Sequence, residues 1–146
     1  MQKKQKGQSI VEFAVVLPLF LLLVFGLLYV GMLLADYLML SSIARSSARE
    51  AAIISSEEYY NNNYEKVRQN YKDKKLPMDI FTWQADSKEN FTINYDNNSH
   101  NVKVTMKAAL NTTGSYLGNI VDKLAGGTSL SQIEINYSMY SEYKPK

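Results

Sequence analysis

Hydrophobic and polar positions fall into three regimes along the chain. From Phe13 to Ala35 there are 23 residues without a charge, and Asp36 closes the run. At about 1.5 Å per residue, a helix of that length reaches roughly 34 Å, enough to cross a hydrocarbon core of about 30 Å. A cleavable secretory signal would carry a shorter apolar stretch of about 7–15 residues, with small residues at its cut site. Leu33 and Ala35 make no such site, so the run reads as a membrane span. From Asp36 to Glu58 no Pro or Gly interrupts the chain, while Leu40, Ile43, Ala44, Ser47, Ala51 and Ile54 recur at spacings of three and four. That spacing predicts a helix continuing past the membrane with one covered face.

The third regime mixes periods. Tyr64, Val67 and Tyr71 share one side of a predicted helix over 64–75, with Asn61–Asn63 before it and Leu76-Pro77 ending it. Apolar residues then alternate with polar ones at Phe91, Ile93 and Tyr95, at Val102, Val104 and Met106, and at Ile133, Ile135, Tyr137 and Met139. Each set is a half-buried strand pattern. The first two strands, joined by Asp96–Asn101, read as a hairpin. Ile80–Gln84 is a shorter strand candidate, and Tyr116–Ala125 a short helix closed by Gly126-Gly127. The expected fold class is α+β: a long N-terminal helix on a small antiparallel sheet, with the Leu40–Ile54 stripe as the sheet's cover.

Composition narrows the function. The 146 residues carry 16 Lys and Arg against 14 Asp and Glu, a net charge of +2 that is too weak and dispersed to predict nucleic-acid binding. Lys3, Lys4 and Lys6 precede the span, which places the N-terminus in the cytoplasm and the larger C-terminal part outside. There is no cysteine and a single histidine, His100, so disulfides, thiolate sites and nucleophilic triads are excluded. Asp96–Asn101 begins like a calcium loop but lacks the ligand at the fifth position and the glycine at the sixth. Lys107 stands where the twelfth-position Glu belongs. Gly126-Gly127-Thr128-Ser129 lacks the lysine of a phosphate loop. No cofactor, metal or enzymatic activity is expected.

Several residues depart from a plain anchor. Pro18 removes a backbone N–H inside the span and should kink the helix or free the carbonyl of Ala14. Glu12 stands at the edge of the apolar run, where a carboxylate is costly unless paired or near headgroups. One reading is an interfacial Glu balanced by Lys6; the other is a carboxylate kept for a partner charge in an assembly of such helices. Arg45 and Arg49, four apart, form a solvated face or contact acidic lipid or a neighbouring subunit. Gly31 and Ala35 make a weak small-xxx-small packing step. The chain also has 11 tyrosines, several near the C-terminus. They serve either as interface area or as cover for the sheet edge.

Residues 6–18 read K-G-Q-S-I-V-E-F-A-V-V-L-P. A basic leader ends in Gly7, Glu12 falls at the fifth position after it, and an apolar helix follows. This is similar to the class III signals of type IV pilins and, more closely, to the start of TadE-like pseudopilins of the tight-adherence (Tad/Flp) pilus system. Ala44–Ala52, with Arg45 and Arg49, looks like that family's small-residue, Arg-bearing helix, although Ser47-Ala48-Arg49 replaces its usual Gly-Ala-Arg step. Ser138–Glu142 is compatible with its C-terminal strand.

The resemblance implies a pilin-like fold and a membrane-embedded prepilin peptidase that cuts between Gly7 and Gln8. The chain then divides into a leader over 1–7, a transmembrane helix over 8–35, its extracytoplasmic continuation over 36–58, and a small α+β outer domain over 59–146. Losing Lys3, Lys4 and Lys6 would change 16 cations against 14 anions into 13 against 14, or −1. By the same resemblance Glu12 pairs with the new amino group of Gln8 on an adjacent subunit, offsetting its desolvation. Implied partners are the peptidase, other pilin or pseudopilin subunits, the pilus assembly platform and the lipid bilayer. The competing expectation is an unprocessed single-pass anchor carrying a small extracellular binding domain.

Overall fold

A computed structural model describes residues 2–54, 64–125 and 132–142. Helix α1 spans Gln2–Ile53 and includes Pro18 without a break in its helical assignment. By internal contacts the chain divides into two units, Met1–Leu34 and Ala35–Lys146. In the first unit the side chains from Phe13 onward are apolar on every side and mostly exposed, Phe13, Leu19, Leu22, Phe25 and Leu27 among them, while Val24, Tyr29, Met32 and Leu33 are half-buried. A helix that is hydrophobic all round suits lipid rather than water. It is the one helix among the described residues long and apolar enough to cross a membrane.

The second unit is α+β. After α1 come α2 (Glu65–Tyr71), β1 (Phe81–Thr82), β2 (Phe91–Asp96), β3 (Asn101–Leu110), α3 (Tyr116–Ala125) and β4 (Gln132–Tyr140). All pairings are antiparallel and β3 is central. Met106 faces Phe91 on one side and Ile135 on the other, while Ala109 lies between Thr82 and Gln132. Thus β1 and β2 share one side of β3, and β4 forms the opposite edge. The alternation predicted for β2 and β3 holds: Phe91, Ile93, Val102, Val104 and Met106 are buried and their intervening neighbours are less so. On β4 only Ile135 is buried, and Ile133, Tyr137 and Met139 are half-covered, as suits an edge strand.

Within the second unit α1 buries Leu40, Ile43, Ala44, Ser47, Ala48, Ala51 and Ala52. Five of these seven are Ala or Ser, small enough for close approach of the helix backbone. Ile54, expected on the same stripe, lies just past the helix end and is half-buried. The expected extension to Glu58, the Asn61–Asn63 connection, Gly126-Gly127, Tyr59, Tyr60 and Tyr143 lie outside the described residues. The stripe is tied down at its far end by the Ser141 hydroxyl, which donates to the Ala52 carbonyl at 2.9 Å.

Two elements are shorter than their sequence pattern predicts. Helix α2 stops at Tyr71 rather than Lys75. Residues 72–75 are Lys-Asp-Lys-Lys and supply no apolar contact to extend it, and the Lys74 carbonyl instead accepts from Trp83 Nε1 at 2.8 Å. The buried Trp83 ring stands edge-on to Phe91 with centroids 5.6 Å apart. The Ile80–Gln84 candidate contracts to the two-residue β1, because Asp79 in the left-handed region (φ 52°) turns the chain just ahead of it. The Asp96–Asn101 connection is a plain turn. Asp96 accepts from the Asn98 amide at 3.0 Å and the Ser99 hydroxyl at 2.7 Å. The Ser99 hydrogen bond leads in holding its carboxyl below the usual range.

Candidate functional site

The residues singled out by sequence lie along α1. Gly7 and Gln8 are within the helix, and their side chains are outside the described set. Glu12 is exposed amid exposed Ile10, Val11, Phe13, Val15 and Val16. One helical turn separates position 8 from position 12, about 6 Å along the axis, so the two lie on one face.

Asp36 is the residue that sequence reasoning undervalued. It reads as the end of the apolar run, yet it is only 1 % exposed. Its Oδ1 accepts the Met78 amide at 2.8 Å, and its Oδ2 accepts the amides of Ile80 at 2.9 Å and Phe81 at 3.3 Å. Three backbone donors compensate a carboxylate that would otherwise be very unfavourable to bury. The left-handed Asp79 aims the flanking amides inward, a conformation that Asp tolerates better than most residues. The signal was present in the sequence: Asp36 stands four residues before Leu40 and seven before Ile43, on the same helical face as the buried stripe. A charge in a buried stripe must have partners.

The anchored segment carries the chain's next contacts. Asn111 donates its backbone amide to the Ile80 carbonyl at 2.8 Å and its side-chain amide to the Asp79 carbonyl at 3.1 Å. Its Oδ1 accepts from the Gly114 amide at 2.8 Å. Gly118 of α3 presses on Asn111 so closely that a Cβ there would stand 2.1 Å from the Asn111 carbonyl oxygen. One polar chain therefore links Asp36, the 78–81 segment, Asn111 and α3.

The two candidate arginines part company. Arg45 and Arg49 are both exposed, but the Arg45 guanidinium lies 5.9 Å from the centre of the Tyr137 ring on β4. One turn on, Glu50 accepts from the Asn70 side chain and the Tyr71 hydroxyl. Burial and then the Glu50 charge push the Tyr71 hydroxyl up to about 12. In α2, Arg68 is buried and ion-paired with Glu65, and this hydrogen bond leads in holding the Glu65 carboxyl below its ordinary range. The tyrosines split as well, with Tyr64 buried and Tyr116 and Tyr140 exposed. Among the described residues no group of three or more His, Asp or Glu converges as metal ligands would.

The family model described as TadE-like protein matches residues 7–49. No curated protein and no solved structure matches the chain. The matched segment begins at Gly7 and contains Glu12, Pro18, Asp36, Arg45 and Arg49. Over residues 7–49 the chain is similar to TadE-like proteins, as its N-terminal motif indicates.

Proposed function

We propose that this chain is a prepilin-like structural subunit, inserted with its N-terminus in the cytoplasm, cut after Gly7, and assembled laterally into a Tad-type pilus or related secretion machine that serves adhesion. Its role is architectural rather than catalytic. The observation that carries the reading is the TadE-like match starting at Gly7 and running through Glu12, Pro18, Arg45 and Arg49. Glycine at the cut site lets a membrane-embedded peptidase approach the backbone closely. Glu12, exposed on an apolar helix, then has the Gln8 amine of an adjacent subunit as its assembly partner.

Intact mass of the protein purified from host membranes containing the cognate peptidase tests the processing step. A chain beginning at Gln8 is the expected result. A start at Met1 replaces this reading with an unprocessed anchor, and a start near Asp36 means the apolar run is a secretory signal. Glu12→Leu should insert normally yet fail to assemble. Normal pilus assembly in that variant sinks the role given to Glu12.

A further inference from the structure

The second unit carries an apolar and basic rim around Asp36 that subunit assembly, as proposed above, does not use. Asp36 is the first charged residue after the 23-residue apolar run. Chain connectivity therefore sets it where hydrocarbon gives way to headgroups. The hydrogen bonds from Met78, Ile80 and Phe81 hold their segment at that same level, and Asn111 and Gly118 bring α3 beside it.

What these segments expose is unusual for a surface facing water. Leu38 is 64 % exposed, Met78 43 %, Tyr116 93 % and Ile120 50 %. On α3, Tyr116, Ile120 and Lys123 recur at spacings of four and three, so they share one exposed face, while Gly118 turns the other way onto Asn111. Lys72, Lys74 and Lys75 are exposed on the stretch leading to the anchored segment, interleaved with Asp73 and Asp79. Tyrosine, aliphatic residues and lysine on one face of a short helix are the composition of an interfacial segment. Lysines there extend their stems along apolar surface and put the ammonium at phosphate level.

We propose that this rim seats on the bilayer surface: Tyr116 and Ile120 of α3, with Met78, enter the headgroup boundary, and Lys72, Lys74, Lys75 and Lys123 reach lipid phosphates. The inference rests on the single-pass reading of the apolar run. The outer unit is then held down while the subunit resides in the membrane, and release into an assembly requires this contact to open.

The chain has no cysteine, so single cysteines can be introduced cleanly into the full-length protein. Met78→Cys and Tyr116→Cys report on the rim. Asn98→Cys reports on the far turn, about 30 Å away along β3, and Leu23→Cys on the span. Each variant carries an environment-sensitive fluorophore in vesicles of phosphatidylcholine, alone or mixed with phosphatidylglycerol. Quenching is read with a headgroup-level nitroxide lipid and with aqueous iodide.

The expected result is severalfold stronger lipid quenching at 78 and 116 than at 98, increased by phosphatidylglycerol. Changing Lys72, Lys74 and Lys75 to Gln should abolish that increase. Labels at 78 and 116 as open to iodide as the one at 98 would overturn the proposal. So would labels there shielded from both quenchers, which would mean that a second protein copy covers the face. A label at 23 open to aqueous iodide would instead remove the membrane reading itself.

Discussion

Two carboxylates bracket the apolar run, and the protein treats them in opposite ways. Glu12 precedes Phe13 and is exposed on a helix with apolar neighbours all round. Asp36 follows Ala35 and is buried, holding three backbone amides of its own chain. The same contrast separates the stretches of α1 beside them. From Phe13 to Leu34 the helix is apolar on every side and leaves most of its large side chains exposed, as suits lipid. From Asp36 on it buries one stripe of mostly small residues and turns charges outward, as water demands. The hydrophobic effect organises the second stretch; in the first, the surrounding lipid is already apolar and only packing and polar pairing remain to direct association. The Asp36 carboxylate is structural, whereas the role proposed for Glu12 lies in another chain.

Asp36→Ala should break this contrast most forcefully. It leaves three amides around Asp36 without their acceptor and should destabilise the outer unit by about 3 kcal/mol or more. Thermal unfolding of the detergent-solubilised protein checks it, and Glu12→Leu should leave the same transition unmoved. Equal effects of the two changes would erase the distinction drawn here.

Gly118→Ala comes next, because its Cβ would meet a backbone oxygen rather than a yielding side chain. A loss of about 2 kcal/mol is expected, with α3 becoming the first segment to exchange its amide hydrogens. Arg45→Ala should cost about 0.5 kcal/mol through its ring contact with Tyr137, and Arg49→Ala less, by the same melting assay. The smallest effect concerns pH. Tyr71 has its folded value raised above that of the unfolded chain, so its contribution is complete below pH 10 and is lost as pH rises towards 12. The melting temperature should fall more between pH 9 and 11 in the parent protein than in Tyr71→Phe.

The sequence made the span, the helical stripe and strands β2 and β3 legible, because each repeats one period long enough to be unambiguous. Residues 13–35 have a single solvent preference, and Phe91–Tyr95 and Val102–Met106 each alternate without fault. Legibility failed where a single contact outweighs periodicity. Helix α2 ends early against the Lys74–Trp83 hydrogen bond, and β1 shrinks beside a left-handed Asp79. The role of Asp36 depends on amides more than 40 residues further along. The sequence shows the charge but not the donors that come to meet it. For Gly7, Gln8 and Glu12 the motif alone carries the proposal, since the proposed roles concern other molecules. Arg45 is a mixed case: exposed as a solvated face would be, yet engaged by its own β4.

Trp83 has a further use. It is the sole tryptophan of the chain, it lies buried against Phe91 in the outer unit, and its indole N–H is occupied by the Lys74 carbonyl. The lipid-suited stretch contributes no indole at all. Intrinsic fluorescence excited at the red edge therefore reports on one half of the molecule only, without a label. Unfolding of the outer unit can be followed as a red shift of Trp83 emission in intact membranes, while the helix that anchors it stays optically silent.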